Sequence, residues 1–214
     1  MQLVIGNKNY SSWSLRPWLL MEQFSLTFEE TKIWLFSEQM DEQMKALSPS
    51  LKVPVFIDQK TVVWDSLAIC EYLNDEYLSG NAWPQNAIKK AQARAICAEM
   101  HSGFFAIREQ MPMNLHRAQA AINLTEQAQN EVARIIAIFS QCLKASGSPD
   151  GFLFGSFSIA DAFYMPIVAR FNSYNVKVPD DVKVYMDQML SLPAYRTWLV
   201  DALDEQAVIE QAEV

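Results

Sequence analysis

The apolar run Leu3-Val4-Ile5, closed by Gly6, predicts a first strand over residues 2–5. Leu15, Trp18, Leu19 and Phe24 then recur at helical spacing and predict a helix over 14–24, started by Ser14. Pro17 falls in its first turn, where a missing N–H costs no hydrogen bond. Loose alternation from Leu26 to Leu35, with β-branched Thr31 and Ile33, predicts a second strand. Ser37 to Leu47 reads as a short polar helix with Ser37 as its cap, ended by Pro49. Val53-Pro54-Val55-Phe56-Ile57 is a strand with a proline at its head. Asp58-Gln59-Lys60 is a tight connection, and Thr61–Trp64 the returning strand of a hairpin. After Asp65-Ser66, the positions Leu67, Ala68, Ile69, Tyr72 and Leu73 predict a helix that closes near Tyr77–Gly80. The order is βαβ, a short helix, then ββα.

Residues 79–86 have the composition of a linker, and every later apolar pattern is helical. One long helix is expected over 87–111, stopped by Pro112, and a second over 124–145. A loop follows at 146–151, then helices over 158–171, 181–192 and 194–203. The tail from Asp204 is acidic and expected to be loosely held. The predicted fold class is therefore α/β at the N-terminus and all-α after it, with domains at 1–79 and 87–214.

Composition narrows the functional classes. Half of the 214 residues are hydrophobic, enough for a sizeable core. The net charge of −8 divides as −5 over 1–80 and −3 over 81–214, so neither part is basic and nucleic acid is not an expected partner. The three cysteines, Cys70, Cys97 and Cys142, are an odd number without close spacing, which argues against a disulfide framework and a metal knuckle. No signal-peptide pattern and no membrane-length apolar run is seen, so a soluble protein of the reducing cytoplasm, away from membranes, is expected.

Chemistry concentrates at Asn9-Tyr10-Ser11-Ser12-Trp13-Ser14-Leu15-Arg16, the turn into the first helix. Unpaired N–H groups and the helix dipole favour an anion there. A hydroxyl could donate to a thiolate brought by a small molecule and lower its pKa. Equally, Ser14 could be an N-cap and the other serines loop filler. Val53-Pro54 is the kind of place where a cis bond occurs, which would leave the backbone of Val53 free to pair with a peptide. It also suits a plain edge-strand start. Asp65 and Ser66 at a helix start could hold a carboxylate or simply cap. Ser158-Ile159-Ala160-Asp161 has capping-box spacing and is assigned to folding. His101 and His116 have no carboxylate at ligand spacing and are set aside as helix-face or loop residues. Met40, Met44, Met111 and Met113 could border a pocket, since methionine adapts to varied shapes, but core filling is the preferred reading.

Taken in this order, these pieces resemble the glutathione transferase family over essentially the whole chain. The matching stretch is Ser11-Ser12-Trp13-Ser14-Leu15-Arg16, where zeta-like members carry Ser-Ser-Cys-x-x-Arg; Trp13 stands in the place of their cysteine. The resemblance implies a thioredoxin-like N-terminal domain followed by an all-helical one. It implies glutathione as co-substrate, no metal, and a homodimer. It makes Ser11 the first choice for the thiolate partner, Ser12 the second, and Tyr10 a lower competitor. Lys52, Val53, Pro54, Asp65 and Ser66 would hold glutathione: Val53 its cysteinyl backbone, Ser66 its γ-glutamyl carboxylate, Asp65 its ammonium and Lys52 its glycine carboxylate. Tyr10, Trp13, Phe104, Arg108 and Arg170 would border the second-substrate pocket. The implied activity is transfer of glutathione to a small, largely apolar electrophile. The alternatives are a maleylacetoacetate-type isomerase, a peroxidase, or a non-enzymatic binding module on the same scaffold.

Overall fold

The computed structural model describes residues 1–147 and 151–214. Residues 148–150, in the loop expected at 146–151, lie outside the described residues. The chain opens with strand β1 (Gln2–Ile5), helix α1 (Ser12–Gln23), strand β2 (Glu29–Lys32) and a short helix α2 (Met40–Lys45). Strands β3 (Val55–Asp58) and β4 (Thr61–Trp64) and helix α3 (Ser66–Glu76) complete the N-terminal part. The four strands form one mixed sheet in the order β2-β1-β3-β4. β1 and β2 are parallel, with Gln2 opposite Glu29 and Ile5 opposite Lys32. β1 and β3 are antiparallel, as are β3 and β4. Alternation sorts the β1 side chains. Leu3 and Ile5 join the main core, while Val4 packs with Ile33, Met44 and Val55 under α2.

The rest is helical: α4 (Ala87–Ser102), α5 (Phe105–Gln110), α6 (Glu126–Ser146), α7 (Ile159–Ser173), α8 (Asp180–Ser191) and α9 (Pro193–Leu203), then a 3-10 turn at Glu210–Ala212. Fourteen of the fifteen residues of α7 are buried, which makes it the axis of this part. α1 packs against α7, α3 and α9, and a single apolar cluster runs from Leu3 through Phe163 to Trp198.

Several elements differ from their sequence expectations. α1 begins at Ser12 because Ser11, not Ser14, is the cap: Ser11 Oγ accepts the Ser14 N–H at 3.4 Å. β2 keeps only four residues, the number that β1 offers for pairing. Ser37 does not cap α2; its hydroxyl turns back to the Trp34 carbonyl at 2.8 Å. The single helix expected over 87–111 breaks at Gly103-Phe104, where Phe104 adopts φ +60°. Glu131 of α6 accepts the N–H groups of Ala106 at 3.3 Å and Ile107 at 2.9 Å, so the start of α5 is capped from another helix. Arg108 bonds the carbonyls of Gly103 and Met100 that the break leaves unpaired.

The tail is not loose. Glu205 is only 5% exposed and accepts the backbone N–H groups of Lys8 at 2.8 Å and Asn9 at 3.0 Å. Lys8 is itself buried, with Nζ 2.8 Å from Glu30 and 2.6 Å from Asp201, between the rings of Trp18 and Trp198. Asn9 Oδ1 accepts the N–H groups of Leu115 and His116. The loop leading into α1 is thus held by residues far along the chain.

Ser158 and Asp161 form the expected capping box, deep in the core. The Asp161 carboxylate accepts from Leu153 N–H at 3.1 Å, from both N–H and O–H of Ser158 at 2.9 Å, and from Tyr185 at 3.3 Å. Burial outweighs these donors and pushes its pKa up to about 6. A carboxyl whose folded pKa is raised stabilises the fold below its unfolded pKa, and that contribution is lost as pH rises through the folded value. Asp161→Ala is expected to lower stability in urea by about 2 kcal/mol or more, because it orphans buried donors as well as a cap. Comparison of Asp161→Asn with the parent between pH 4 and 6 should show the parent alone losing a contribution on the order of 2 kcal/mol as pH rises.

Candidate functional site

Two cavities meet on the face where α1 starts. One, of about 280 Å³, is lined by Trp13, Ser50, Lys52, Val53, Pro54, Trp64, Asp65, Ser66 and His101. The other, of about 430 Å³, is lined by Tyr10, Ser11, Ser12, Trp13, Lys52, Val53, Arg108 and Arg170. Leu35, Phe36, Met40, Pro112, Met113 and the tail residues Ile209, Gln211 and Ala212 complete its wall. Trp13, Lys52 and Val53 line both, so the two adjoin across these residues as the two halves of one cleft.

The first cavity is built by β3 and α3. The Val53-Pro54 peptide is cis, and among the described residues no loop or turn hydrogen bond uses the backbone of Val53. Asp65 caps α3 in an uncommon backbone conformation at φ +75°, a state that costs on the order of 1–3 kcal/mol and clusters at functional sites. Its Oδ1 accepts the N–H groups of Leu67 at 2.8 Å and Ala68 at 3.3 Å. Ser66 is 1% exposed and its hydroxyl accepts from Arg16 Nη1 at 3.5 Å.

The serines at the mouth of α1 have different partners. Ser11 donates its proton to Ser14 Oγ at 2.7 Å, and Ser14 Oγ also accepts the Gly6 N–H at 3.1 Å. Ser12 instead accepts from Arg170 Nη2 at 3.4 Å. No protein acceptor takes the Ser12 hydroxyl proton among the described residues. Tyr10 donates to Glu213 Oε1 at 2.5 Å, and burial together with that bond raises its pKa.

Three guanidinium groups gather behind the serines. Arg170, on α7, also donates to the carbonyls of Met111 at 2.8 Å and Pro166 at 3.2 Å. Arg16, on α1, stacks on the rings of Trp13 at 4.2 Å and Phe163 at 4.5 Å. Arg108 covers the other contact to Trp13 at 4.6 Å. Among the described residues none of the three forms an ion pair with a carboxylate. Burial, then the charge of Arg108, pulls Arg170 down to about 9; burial, then Arg108 and Arg170, does the same to Arg16. Burial also lowers Arg108. Arg16 Nε has no partner. Such a cluster favours an anion in the cleft.

The cleft therefore brings together Tyr10, Ser11, Ser12, Trp13, Lys52, Val53, Pro54, Asp65, Ser66, Arg108 and Arg170. Phe104 is not among them. It is 7% exposed and borders a separate depression with Glu99, Glu126, Glu131 and Arg134. Sequence reasoning passed over three contributors: His101, the Ile209–Ala212 wall, and the stacking of Arg16. Arg16 had a signal in its spacing from Ser11. His101 and the tail had none, because what places them is the packing of distant helices. Among the described residues no group of His, Cys, Asp and Glu could hold a metal ion, and no helix is long and apolar enough to cross a membrane.

Comparison with known proteins follows the same lines. The family description "Glutathione S-transferase, N-terminal domain" matches residues 10–76, and "Glutathione S-transferase, C-terminal domain" matches residues 119–200. A probable maleylacetoacetate isomerase of Caenorhabditis elegans is 35% identical over 92 residues, which are 43% of this chain and 42% of that relative's length. The chain thus aligns with less than half of that relative. A glutathione transferase homolog of Burkholderia gl BGR1, solved with bound glutathione, superposes with a TM-score of 0.73 at 20% identity, covering 95% of this chain and 98% of its own. A maleyl pyruvate isomerase described as a bacterial zeta-class enzyme gives 0.72 at 19% identity, covering 97% and 100%. At these identities the superpositions speak for the fold.

The hydrogen bonds separate the two leading serines by stability alone. Ser11→Ala removes the α1 cap and should lower unfolding free energy by about 1 kcal/mol, whereas Ser12→Ala leaves a buried Arg170 donor without its acceptor and should cost about 1–3 kcal/mol. Urea titrations of both variants measure the difference.

Proposed function

The chain belongs to the glutathione S-transferase family, and from that premise we propose that it is a glutathione-dependent transferase in which Ser12 stabilises the glutathione thiolate. The observation that carries the assignment is the bond from buried Arg170 to Ser12 Oγ at 3.4 Å, in the wall of the larger cavity beside Trp13. A hydroxyl that accepts from a cation is a stronger donor, and its own proton is left to point into the cleft. Ser11, first by sequence, is less suited because its proton goes to Ser14. The Ser11 hydroxyl keeps the helix start in place instead.

In this reading the γ-glutamyl carboxylate meets Ser66 and the N-terminus of α3, and its ammonium meets Asp65. The cysteinyl unit pairs with the backbone of Val53 beside Pro54, and Lys52 takes the glycine carboxylate. That pose carries the sulfur over Trp13 toward Ser12. A free thiol with pKa near 8.5 is mostly protonated at neutral pH. Lowering it by ~2 units requires ~2.7 kcal/mol of preferential stabilisation of the thiolate. The Ser12 hydrogen bond, the α1 dipole and the positive charge of Arg108 and Arg170 supply interactions of that size. The thiolate then attacks an electrophile held in the larger cavity. Catalysis is pKa lowering plus positioning, with no metal. The reading includes the division into domains at 1–79 and 87–214, a homodimer, and a cytoplasmic location.

The second reading is isomerisation of a maleyl-type acid on the same site. The thiolate would add to a cis double bond, the new single bond would rotate, and elimination would return the thiolate. It is favoured by Arg108 and Arg170, which lie on the larger cavity without a salt bridge among the described residues and suit an acidic substrate. The nematode relative supports it as well.

Calorimetric titration with glutathione tests the common premise; absence of binding leaves only the non-enzymatic alternative. With an aryl halide as electrophile, Ser12→Ala should lower turnover by about tenfold or more, equivalent to ~1.4 kcal/mol of barrier. The ultraviolet thiolate absorbance of bound glutathione should then titrate at least about one unit higher than in the parent. A larger loss in Ser11→Ala than in Ser12→Ala would return the role to Ser11. Activity on a maleyl acid that exceeds activity on aryl halides, and that Arg170→Met abolishes, selects the second reading.

A further inference from the structure

We infer that His101 is a positioning residue for the ammonium end of glutathione, acting through Asp65 from across the cleft. The inference rests on the reading that Asp65 and Ser66 receive the γ-glutamyl end. His101 lies in the last turn of α4, ahead of the break at Gly103-Phe104, and lines the smaller cavity together with Asp65 and Ser66. Its Nε2 is 3.0 Å from Asp65 Oδ2. The other carboxylate oxygen, Oδ1, is taken by the N–H groups of Leu67 and Ala68. Both oxygens of Asp65 are therefore anchored, one by its own helix and one by the helical part of the chain.

The ring of His101 is held in turn. It stands edge-on to Trp13, with centroids 5.3 Å apart and planes at 82°, and lies 6.4 Å from the ring of Phe163. A carboxylate partner at Nε2 requires the ring proton to sit on that nitrogen, so His101 donates and Asp65 accepts. Asp65 alone could turn about its terminal torsion, which is broad for a carboxylate. With Oδ2 tied to His101 and Oδ1 to α3, the carboxylate plane is set in the wall of the cavity where the ammonium would arrive. The same side chain joins the two ends of the cleft, because Trp13 also carries Arg16 and Arg108 on its ring. His101 lines the smaller cavity and not the larger one that holds Ser12, so its role is positioning and not catalysis.

The test compares glutathione with glutaryl-cysteinyl-glycine, the same tripeptide with hydrogen in place of the α-ammonium. By titration calorimetry, His101→Ala should weaken glutathione binding about five- to tenfold, less than the loss of a whole charge-assisted hydrogen bond because His101 acts through Asp65, and leave the analogue's affinity unchanged within twofold. His101→Gln, which keeps an N–H at similar reach, should recover most of the loss. Turnover at saturating glutathione should stay within about twofold, since the effect is on ground-state binding. Equal loss for both peptides, or no loss for either, overturns the role of His101. Failure of the parent protein to bind glutathione at all overturns the underlying reading instead, so the two failures are distinguishable.

Discussion

The loop from Asn7 to Tyr10 closes one turn of its own, with the Tyr10 N–H on the Asn7 carbonyl at 3.2 Å, and the site depends on its being held still. Glu205, nearly two hundred residues later, does that by accepting two consecutive backbone N–H groups, those of Lys8 and Asn9, while also pairing with Lys32 at 2.8 Å. Lys8 is buried between two tryptophans and two carboxylates, so its charge is matched on every side. Such a pair is a poor source of net stability, because desolvation of the ions offsets most of their attraction. Its effect is on geometry: a loop tied at these points has one conformation, and the cap of α1 follows from it. Any shift of α9 and the tail would be transmitted to Ser11 and Ser12.

The interior of the cleft has the opposite electrostatic character. Lys8 forms salt bridges with two carboxylates, whereas among the described residues Arg16, Arg108 and Arg170 form none, and only Arg108 feels a nearby carboxylate, that of Glu131. Their hydrogen bonds go to carbonyls and hydroxyls, which orient the guanidinium groups without neutralising them. Keeping like charges close in a buried place is unfavourable for the empty protein, and perturbed groups of this kind concentrate where ligands bind. A thiolate at Ser12, or a carboxylate on the second substrate, would relieve that repulsion. The charge that costs stability in the free protein is thus available to favour the anion.

The two parts of the chain are distinct in secondary structure and joined in packing. α1 starts in the α/β part and buries its face against α7 of the helical part, and one apolar cluster spans both. The cleft inherits this arrangement. Its floor is Ser12, Val53, Asp65 and Ser66, and its far wall is His101, Arg108 and Arg170. Neither part encloses a ligand alone.

The elements with strong local signals were legible in the amino-acid order. The apolar run Leu3-Val4-Ile5, the hairpin around Gln59-Lys60, the acid-serine start of α3 and the Ser158–Asp161 box all act within a few residues, so local physics was enough to place them. The same holds for the candidate residues on the N-terminal side, where Ser12, Val53 and Asp65 fall within two residues of element starts that the sequence marks. Tertiary structure alone decided the break at Phe104, the burial of Glu205, the commitment of the Ser11 proton to Ser14, and the pairing of His101 with Asp65. In each case the deciding partner is either far along the chain or set by which way a hydroxyl points. Sequence periodicity reports which face of an element is buried, but not which distant group it will meet there.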